Sequence, residues 1–93
     1  MVEKSISKKL LRELGFKYGK RNLTLFPDHP YSRFVKGNIV LFYKDAVYEY
    51  EPLSVLIGFV DKRRGHVYLI TFRWIHHYKE LQDFYLLLTG TSI

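Results

Sequence analysis

The sequence predicts an α+β domain with an N-terminal helix, about five antiparallel strands in a meander and a C-terminal helix. Hydrophobic residues recur at helical spacing near both ends of the chain and at a spacing of two between them. Turn residues such as glycine and proline separate the segments of period two. We therefore predict that both helices pack on one face of the sheet. A chain of 93 residues can build only one core, so we predict a single domain over 1–93.

The first helix is predicted to run to Leu14, with Ser5 or Ser7 as its N-cap. Gly15 follows, and glycine can adopt the left-handed conformation that ends many helices. The apolar residues of this helix occupy one arc of a helical wheel, and they are Ile6, Leu10, Leu11 and Leu14. This helix is therefore amphipathic, with one face for the core.

The middle of the chain contains the strand candidates, which are 22–26, 39–44, 46–51, 55–60 and 66–74. Residues 31–38 lead through a Lys36–Gly37 turn into 39–44, which is apolar on both faces and is therefore predicted to be central. Only Lys44 and Asp45 separate 39–44 from 46–51, which predicts a tight hairpin. The loop 61–65 predicts a second hairpin, because Gly65 suits a position with positive φ.

Helical spacing returns at the end of the chain, where one arc of the wheel holds Tyr78, Leu81, Phe84, Tyr85 and Leu88. Gly90 stands where a helix would stop. The adjacent His76 and His77 are predicted to begin this helix and to point in different directions. His77 falls in the apolar arc, and His76 lies with Glu80 and Asp83 on the polar side.

A metal site at these histidines would need a further ligand, and His29 and His66 are the available histidines. We therefore predict no metal and no other cofactor, and interpret the segment as a helix that docks onto the sheet.

The stretch KELQDFYLLLTG resembles the end of small uncharacterised proteins of bacteria, phages and other mobile elements, which finish in E-L-Q-x-x-Y-x-x-L-T-G. The matching residues are Glu80, Leu81, Gln82, Tyr85, Leu88, Thr89 and Gly90. The resemblance implies a mobile-element origin and a role in binding a host or viral macromolecule.

Several functional classes are disfavoured by composition. The chain has no cysteine, no apolar run of about 18 residues and no signal-peptide pattern, so we expect a cytoplasmic protein without membrane association. No serine lies in a nucleophile-elbow motif. Glu49 and Glu51 would lie on the solvent-exposed face of one strand, where carboxylates usually only increase the solubility of the protein. We therefore predict that the protein is not an enzyme.

Basic residues are concentrated near the N-terminus. The formal net charge is +6, and residues 1–21 hold seven basic residues against two acidic ones, a net +5. This asymmetry favours an acidic partner, either nucleic acid or protein, although a solvated helix face would have the same composition. The candidate contact residues are Lys8, Lys9, Arg12, Lys17, Lys20, Arg21, Lys62, Arg63 and Arg64.

Two functions agree with this pattern. The first is binding to a protein partner, or formation of a homodimer, through the sheet face that the helices leave uncovered, where we expect tyrosines with Trp74 or Phe72. The second is nucleic-acid binding by the basic helix and the 62–64 hairpin tip. In that case the aromatic residues for base stacking would be Tyr31, Tyr43, Tyr48, Tyr50 and Tyr68.

Overall fold

Five strands form one antiparallel sheet in sequential order, β1-β2-β3-β4-β5, in a computed structural model that describes residues 4–19, 31–44 and 50–93. The elements are α1 (Lys8–Glu13), β1 (Lys17–Tyr18), β2 (Tyr31–Lys36), β3 (Ile39–Lys44), β4 (Val55–Asp61), β5 (His66–Leu69) and α2 (Tyr78–Thr89). The predicted α+β meander between two terminal helices is confirmed. Among the residues that the structure describes, no helix has the length and hydrophobicity that a membrane-spanning segment needs.

Both helices pack on one face of the sheet, as predicted. Successive side chains of a strand point to opposite faces, and alternate residues of β2, β3 and β4 belong to one buried cluster with residues of α1 and α2. Phe16, just after α1, and Tyr85 of α2 contact each other edge to face, with ring centroids 6.1 Å apart. The buried members of this cluster are Ile6, Leu11, Phe16, Phe34, Ile39, Leu41, Tyr43, Leu53, Val55, Ile57, Ile75, Leu81 and Tyr85.

Helix α1 begins and ends with the local signals expected for it. Ser7 is the N-cap, and its hydroxyl accepts a hydrogen bond from the Leu10 N–H at 3.1 Å. Gly15 has a φ of 93°, and the Phe16 N–H donates to the Leu11 carbonyl at 3.0 Å, which folds Phe16 back onto the core. Lys36 Nζ donates to the Leu14 carbonyl at 2.6 Å, so a side chain of β2 satisfies one of the last carbonyls of the helix.

Strand pairing departs from the prediction around β3. Residues 31–36, predicted only to lead into a turn, form β2 and pair along the whole of β3. The other edge of β3 pairs with β4, so 55–61 and not 46–51 is its second neighbour. The predicted hairpin after Lys44 is therefore wrong in its pairing, and residues 45–49 and the predicted strand 22–26 lie outside the described residues. A central strand needs two partners, and the apolar pattern of 39–44 does not say which segments supply them.

The predicted strand 66–74 is interrupted after Leu69. Leu69 pairs with Gly58, and the next pairing on this side is an isolated bridge between Ile75 and Val55. Three steps along β4 therefore correspond to six steps along the neighbouring segment, so the chain between Leu69 and Ile75 bulges out of the sheet. We call residues 70–74 the bulge.

The centre of the second sheet face is also buried. The buried residues there form a second cluster, which contains Val40, Phe42, Leu56 and Val60. A Cβ atom at Gly58 would lie only 3.0 Å from Val40 Cγ1 and 3.1 Å from Val67 Cγ1, so this close packing requires glycine. The prediction that this face is uncovered is wrong, although Tyr31 and Trp74 do pack against its cluster. Tyr43 points to the helices and is buried there, and Tyr31 packs against Trp74 with ring centroids 5.8 Å apart.

Candidate interaction surface

The histidine pair precedes α2 and does not form its first turn. His77 is the N-cap with extended backbone, and its carbonyl accepts a hydrogen bond from the Leu81 N–H at 3.3 Å. His76 is exposed, and its Nδ1 lies 2.6 Å from Ser54 Oγ. The placement of His76 on a helix face with Glu80 is wrong, and Glu80 instead pairs with Arg73. Within 4–19, 31–44 and 50–93, no three histidine, aspartate or glutamate side chains are grouped closely enough to hold a metal ion, and His29 lies outside these ranges.

The Ser54–His76 contact lies in a cleft of about 460 Å³. The cleft is lined by Lys44, Glu51, Pro52, Leu53, Ser54, Trp74 and His76. Sequence analysis missed this pair, because the two residues are 22 positions apart and belong to no motif. This contact joins the segment before β4 to the segment that leads into α2.

The predicted basic residues of α1 lie beside aromatic rings. Lys8 Nζ is 5.8 Å from the centroid of the Tyr43 ring, and Lys9 Nζ is 5.1 Å from that of Tyr50. These are cation–π distances, so both lysines contact the molecule's own surface. Arg12 is exposed one turn further along α1. The predicted contact residues Lys20 and Arg21 lie outside the described residues.

The basic hairpin 62–64 lies at the opposite end of the sheet from Tyr43. Tyr43 faces Val55 at one end of β4, and the hairpin follows Asp61 at the other end, about 20 Å away by strand geometry. All three hairpin residues, Lys62, Arg63 and Arg64, are exposed. Lys17 pairs opposite Val35, one residue before the end of β2, and so lies toward the hairpin end of the sheet on the β1 side. The structure thus divides the predicted basic residues between two ends of the molecule.

The hairpin is shaped by its one acidic residue. Asp61 Oδ1 accepts hydrogen bonds from the backbone N–H groups of Arg63 and Arg64 at 3.1 and 3.4 Å. Arg64 Nε also lies 3.9 Å from Asp61 Oδ2, and Gly65 has the positive φ of 68° that sequence analysis expected. One carboxylate against three cations leaves the tip positively charged.

Several exposed apolar side chains belong to β5, the bulge and α2. Phe72 is 90% exposed, Leu87 80% and Tyr68 47%. Phe72 shares with Phe84 a groove of about 330 Å³, and Leu87 lies one helical turn beyond Phe84. We define the β5–α2 surface by the residues Tyr68, Ile70, Phe72, Phe84 and Leu87.

Phe72 is held outward by anchors on either side of it. The Thr71 hydroxyl accepts a hydrogen bond from the Ile57 N–H at 2.8 Å, and Arg73 Nη2 lies 2.6 Å from Glu80 Oε2 of α2. Thr71 is buried, whereas its neighbour Phe72 faces solvent. The sequence predicted Trp74 or Phe72 on the second sheet face, and Trp74 packs against the cluster there. Phe72 does not, because the period of two through 66–74 gives no sign of the bulge.

No protein-family model matches this chain, and neither a curated protein nor a solved structure is significantly similar to it.

Proposed function

We propose that this protein is a non-enzymatic binding protein that engages a protein partner through the β5–α2 surface. The main supporting observation is the exposure of Phe72 between the anchored residues Thr71 and Arg73. A single exposed apolar residue is ordinary, but Phe72 lies beside Phe84 in a groove, and the exposed residues Tyr68 and Leu87 belong to β5 and α2 on either side of the bulge in the chain. Aromatic residues beside a groove are typical anchors of protein interfaces.

The partner is expected to be acidic as well as apolar. The exposed residues Lys62, Arg63 and Arg64 directly precede β5, so positive charge borders one end of the β5–α2 surface. Charge complementarity of this kind increases the association rate and selects among partners. The absence of cysteine is compatible with a cytoplasmic location, and the resemblance of 79–90 supports an origin in a phage or another mobile element.

Nucleic acid is the alternative partner, and the position of the aromatic residues favours protein over it. Of the residues expected to stack on bases, Tyr43 is buried and Tyr31 packs against Trp74. Tyr48 lies outside the described residues, while Tyr50 and Tyr68 are exposed.

The test compares two double variants with the unchanged protein in affinity capture from a nuclease-treated lysate of the native cell. Phe72→Ser with Leu87→Ser removes the β5–α2 surface, whereas Tyr18→Ser with Tyr50→Ser removes exposed aromatic residues elsewhere. We expect a stoichiometric protein partner to be retained by the second variant and lost by the first. The Phe72→Ser, Leu87→Ser variant should keep its free energy of unfolding within about 0.5 kcal/mol of the original, because both side chains are largely exposed. The control loses the ring contacts of Tyr18 with Phe34 and of Tyr50 with Lys9, so urea denaturation of both variants accompanies the capture experiment.

Three results would contradict the proposal. Capture of the same protein by the Phe72→Ser, Leu87→Ser variant would show that the partner binds elsewhere. Loss of all binding on nuclease treatment, with recovery of salt-dependent binding when RNA or DNA is restored, would indicate nucleic acid. A dimer in sedimentation experiments that the Phe72→Ser, Leu87→Ser variant dissociates would indicate self-association.

A further inference from the structure

We infer that the partner binds by adding an extended segment as a sixth strand to the outer edge of β5, antiparallel to it, with apolar residues followed by acidic ones. This inference rests on the proposed function and specifies its binding mode. In the described part of the chain β5 pairs with β4 on one side and has no strand on its other side. Strand addition to such an edge is a common mode of peptide recognition.

The hydrogen-bonding pattern shows which groups of β5 face outward. The Val60 N–H donates to the Asn38 carbonyl at 2.7 Å, on the β3 side, and the Ile57 carbonyl accepts from Ile70 at 2.8 Å, on the β5 side. Antiparallel ladders alternate between hydrogen-bonded and non-hydrogen-bonded pairs. Val67, which faces Val60, and Leu69 therefore direct their backbone N–H and C=O groups away from β4. An added strand would pair with these two residues.

The side chains next to this edge suit apolar partner residues on both faces. Val67 and Leu69 are half-buried and belong to the cluster on the second face, so an added strand can complete their burial. On the other face Tyr68 packs beside His66, with ring centroids 6.4 Å apart, and is close to half exposed. Because successive side chains of a strand point to opposite faces, one added strand would contact Val67 and Leu69 on one face and Tyr68 on the other.

For an antiparallel segment, the charge of the hairpin determines which end carries the acidic residues. β5 runs from the basic hairpin toward the bulge, so an antiparallel segment ends at the hairpin. Acidic residues at the C-terminal end of the segment would then lie near Lys62, Arg63 and Arg64, while its apolar N-terminal part would lie near Phe72. Antiparallel pairing is also slightly more stable per residue than parallel pairing.

A second copy of the chain fits this edge less well. If Val67 of one copy paired with Leu69 of the other around a two-fold axis, the basic hairpin of each copy would lie toward the bulge of the other, which contains Arg73. Arg73 is exposed, although it is paired with Glu80. Like charges opposite each other destabilise strand pairs, whereas an acidic segment is attracted by the same arginines. We therefore favour an acidic partner segment as the occupant.

The test uses two synthetic peptides of about nine residues with the same composition, both with blocked ends. One has alternating valine and threonine followed by a run of acidic residues, and the other has the acidic residues first. In NMR titrations with the full chain, the first peptide should shift the amide signals of Val67 and Leu69 and slow their hydrogen exchange at least about tenfold. The second peptide should bind about tenfold more weakly, because its charges face the bulge instead of the hairpin.

Val67→Pro provides a matched variant, since it removes an outward N–H and leaves the inward pairing of Tyr68 and His66 intact. We expect it to unfold as a single cooperative domain and to lose the peptide-induced shifts. Slowed exchange in the original protein tests the inference independently if this variant fails to fold. Shifts at Phe72 and Leu87 without protection of Val67 and Leu69 would overturn strand addition and leave the proposed function standing. Absence of all shifts at millimolar peptide would also overturn it, while the capture experiment separately judges the proposed function.

Discussion

The Thr71 hydroxyl accepts a hydrogen bond from the backbone N–H of Ile57 at 2.8 Å, in the position where a regular ladder would use a backbone carbonyl. The N–H groups of Ile70 and Thr71 both donate to the Ile57 carbonyl, at 2.8 and 3.2 Å. A side chain thus replaces one backbone partner, and the chain leaves the sheet without exposing an unsatisfied buried group. The bulge that presents Phe72 depends on this exchange.

Thr71→Val should therefore destabilise the protein. Valine has the same shape but no acceptor, so the buried Ile57 N–H would lose its partner, at a cost of about 1–3 kcal/mol in the free energy of unfolding. Urea denaturation measures this change. Thr71→Ser is the control, because it keeps the hydroxyl and loses only a methyl group. If the valine variant is as stable as the serine variant, the hydrogen bond does not stabilise the bulge.

Gly58→Ala should also destabilise the protein, for a steric reason. The added methyl would lie 3.0 Å from Val40 Cγ1 and 3.1 Å from Val67 Cγ1, and overpacking of this kind typically costs about 1–3 kcal/mol. Val67→Ala in the same chain should recover part of the loss, because it removes one of the crowded methyl groups. Unfolding of the two single variants and the double variant gives the coupling energy. Strict additivity would contradict the contact.

Ser7→Ala should weaken α1, whereas Ser5→Ala should not. The Ser7 hydroxyl accepts from the Leu10 N–H at 3.1 Å, and loss of such a cap costs about 1 kcal/mol. Ser5 pairs with His77 through a backbone bridge, and its side chain is exposed. Thermal unfolding of the two variants provides the comparison. Equal melting temperatures would show that this cap does not contribute to stability.

Lys36→Met should destabilise the contact between α1, β2 and α2. Lys36 Nζ donates to the Leu14 carbonyl at 2.6 Å and lies 5.8 and 5.4 Å from the ring centroids of Phe16 and Tyr85. Methionine keeps most of the apolar stem and removes the charge, so we expect a loss of about 1–2 kcal/mol in the free energy of unfolding. Lys17→Met, at an exposed site of β1, is the control. A loss of equal size in the control would mean that total charge and not this contact is responsible.

The C-terminal ends of both helices could be predicted from sequence because their signals are local. Gly15 and Gly90 adopt left-handed conformations with φ of 93° and 74°, and the Gly90 N–H donates to the Leu86 carbonyl at 2.8 Å. The predicted start of α2 at the histidines is wrong, because His77 is the N-cap with extended backbone. The choice between Ser5 and Ser7 as the N-cap of α1 was left open, because both are serines just before the apolar stripe. The structure decides it through the contact of Ser7 with Leu10.

By itself the sequence determined the fold class, the apolar face of each helix, the central position of 39–44 and the positive charge of the 62–64 hairpin. Tertiary structure alone decided that β2 and β4 flank β3, that the second sheet face is buried, and that Phe72 faces solvent. The physical reason is that periodicity records which side of a segment is apolar, whereas pairing depends on contacts between distant residues such as Thr71 and Ile57.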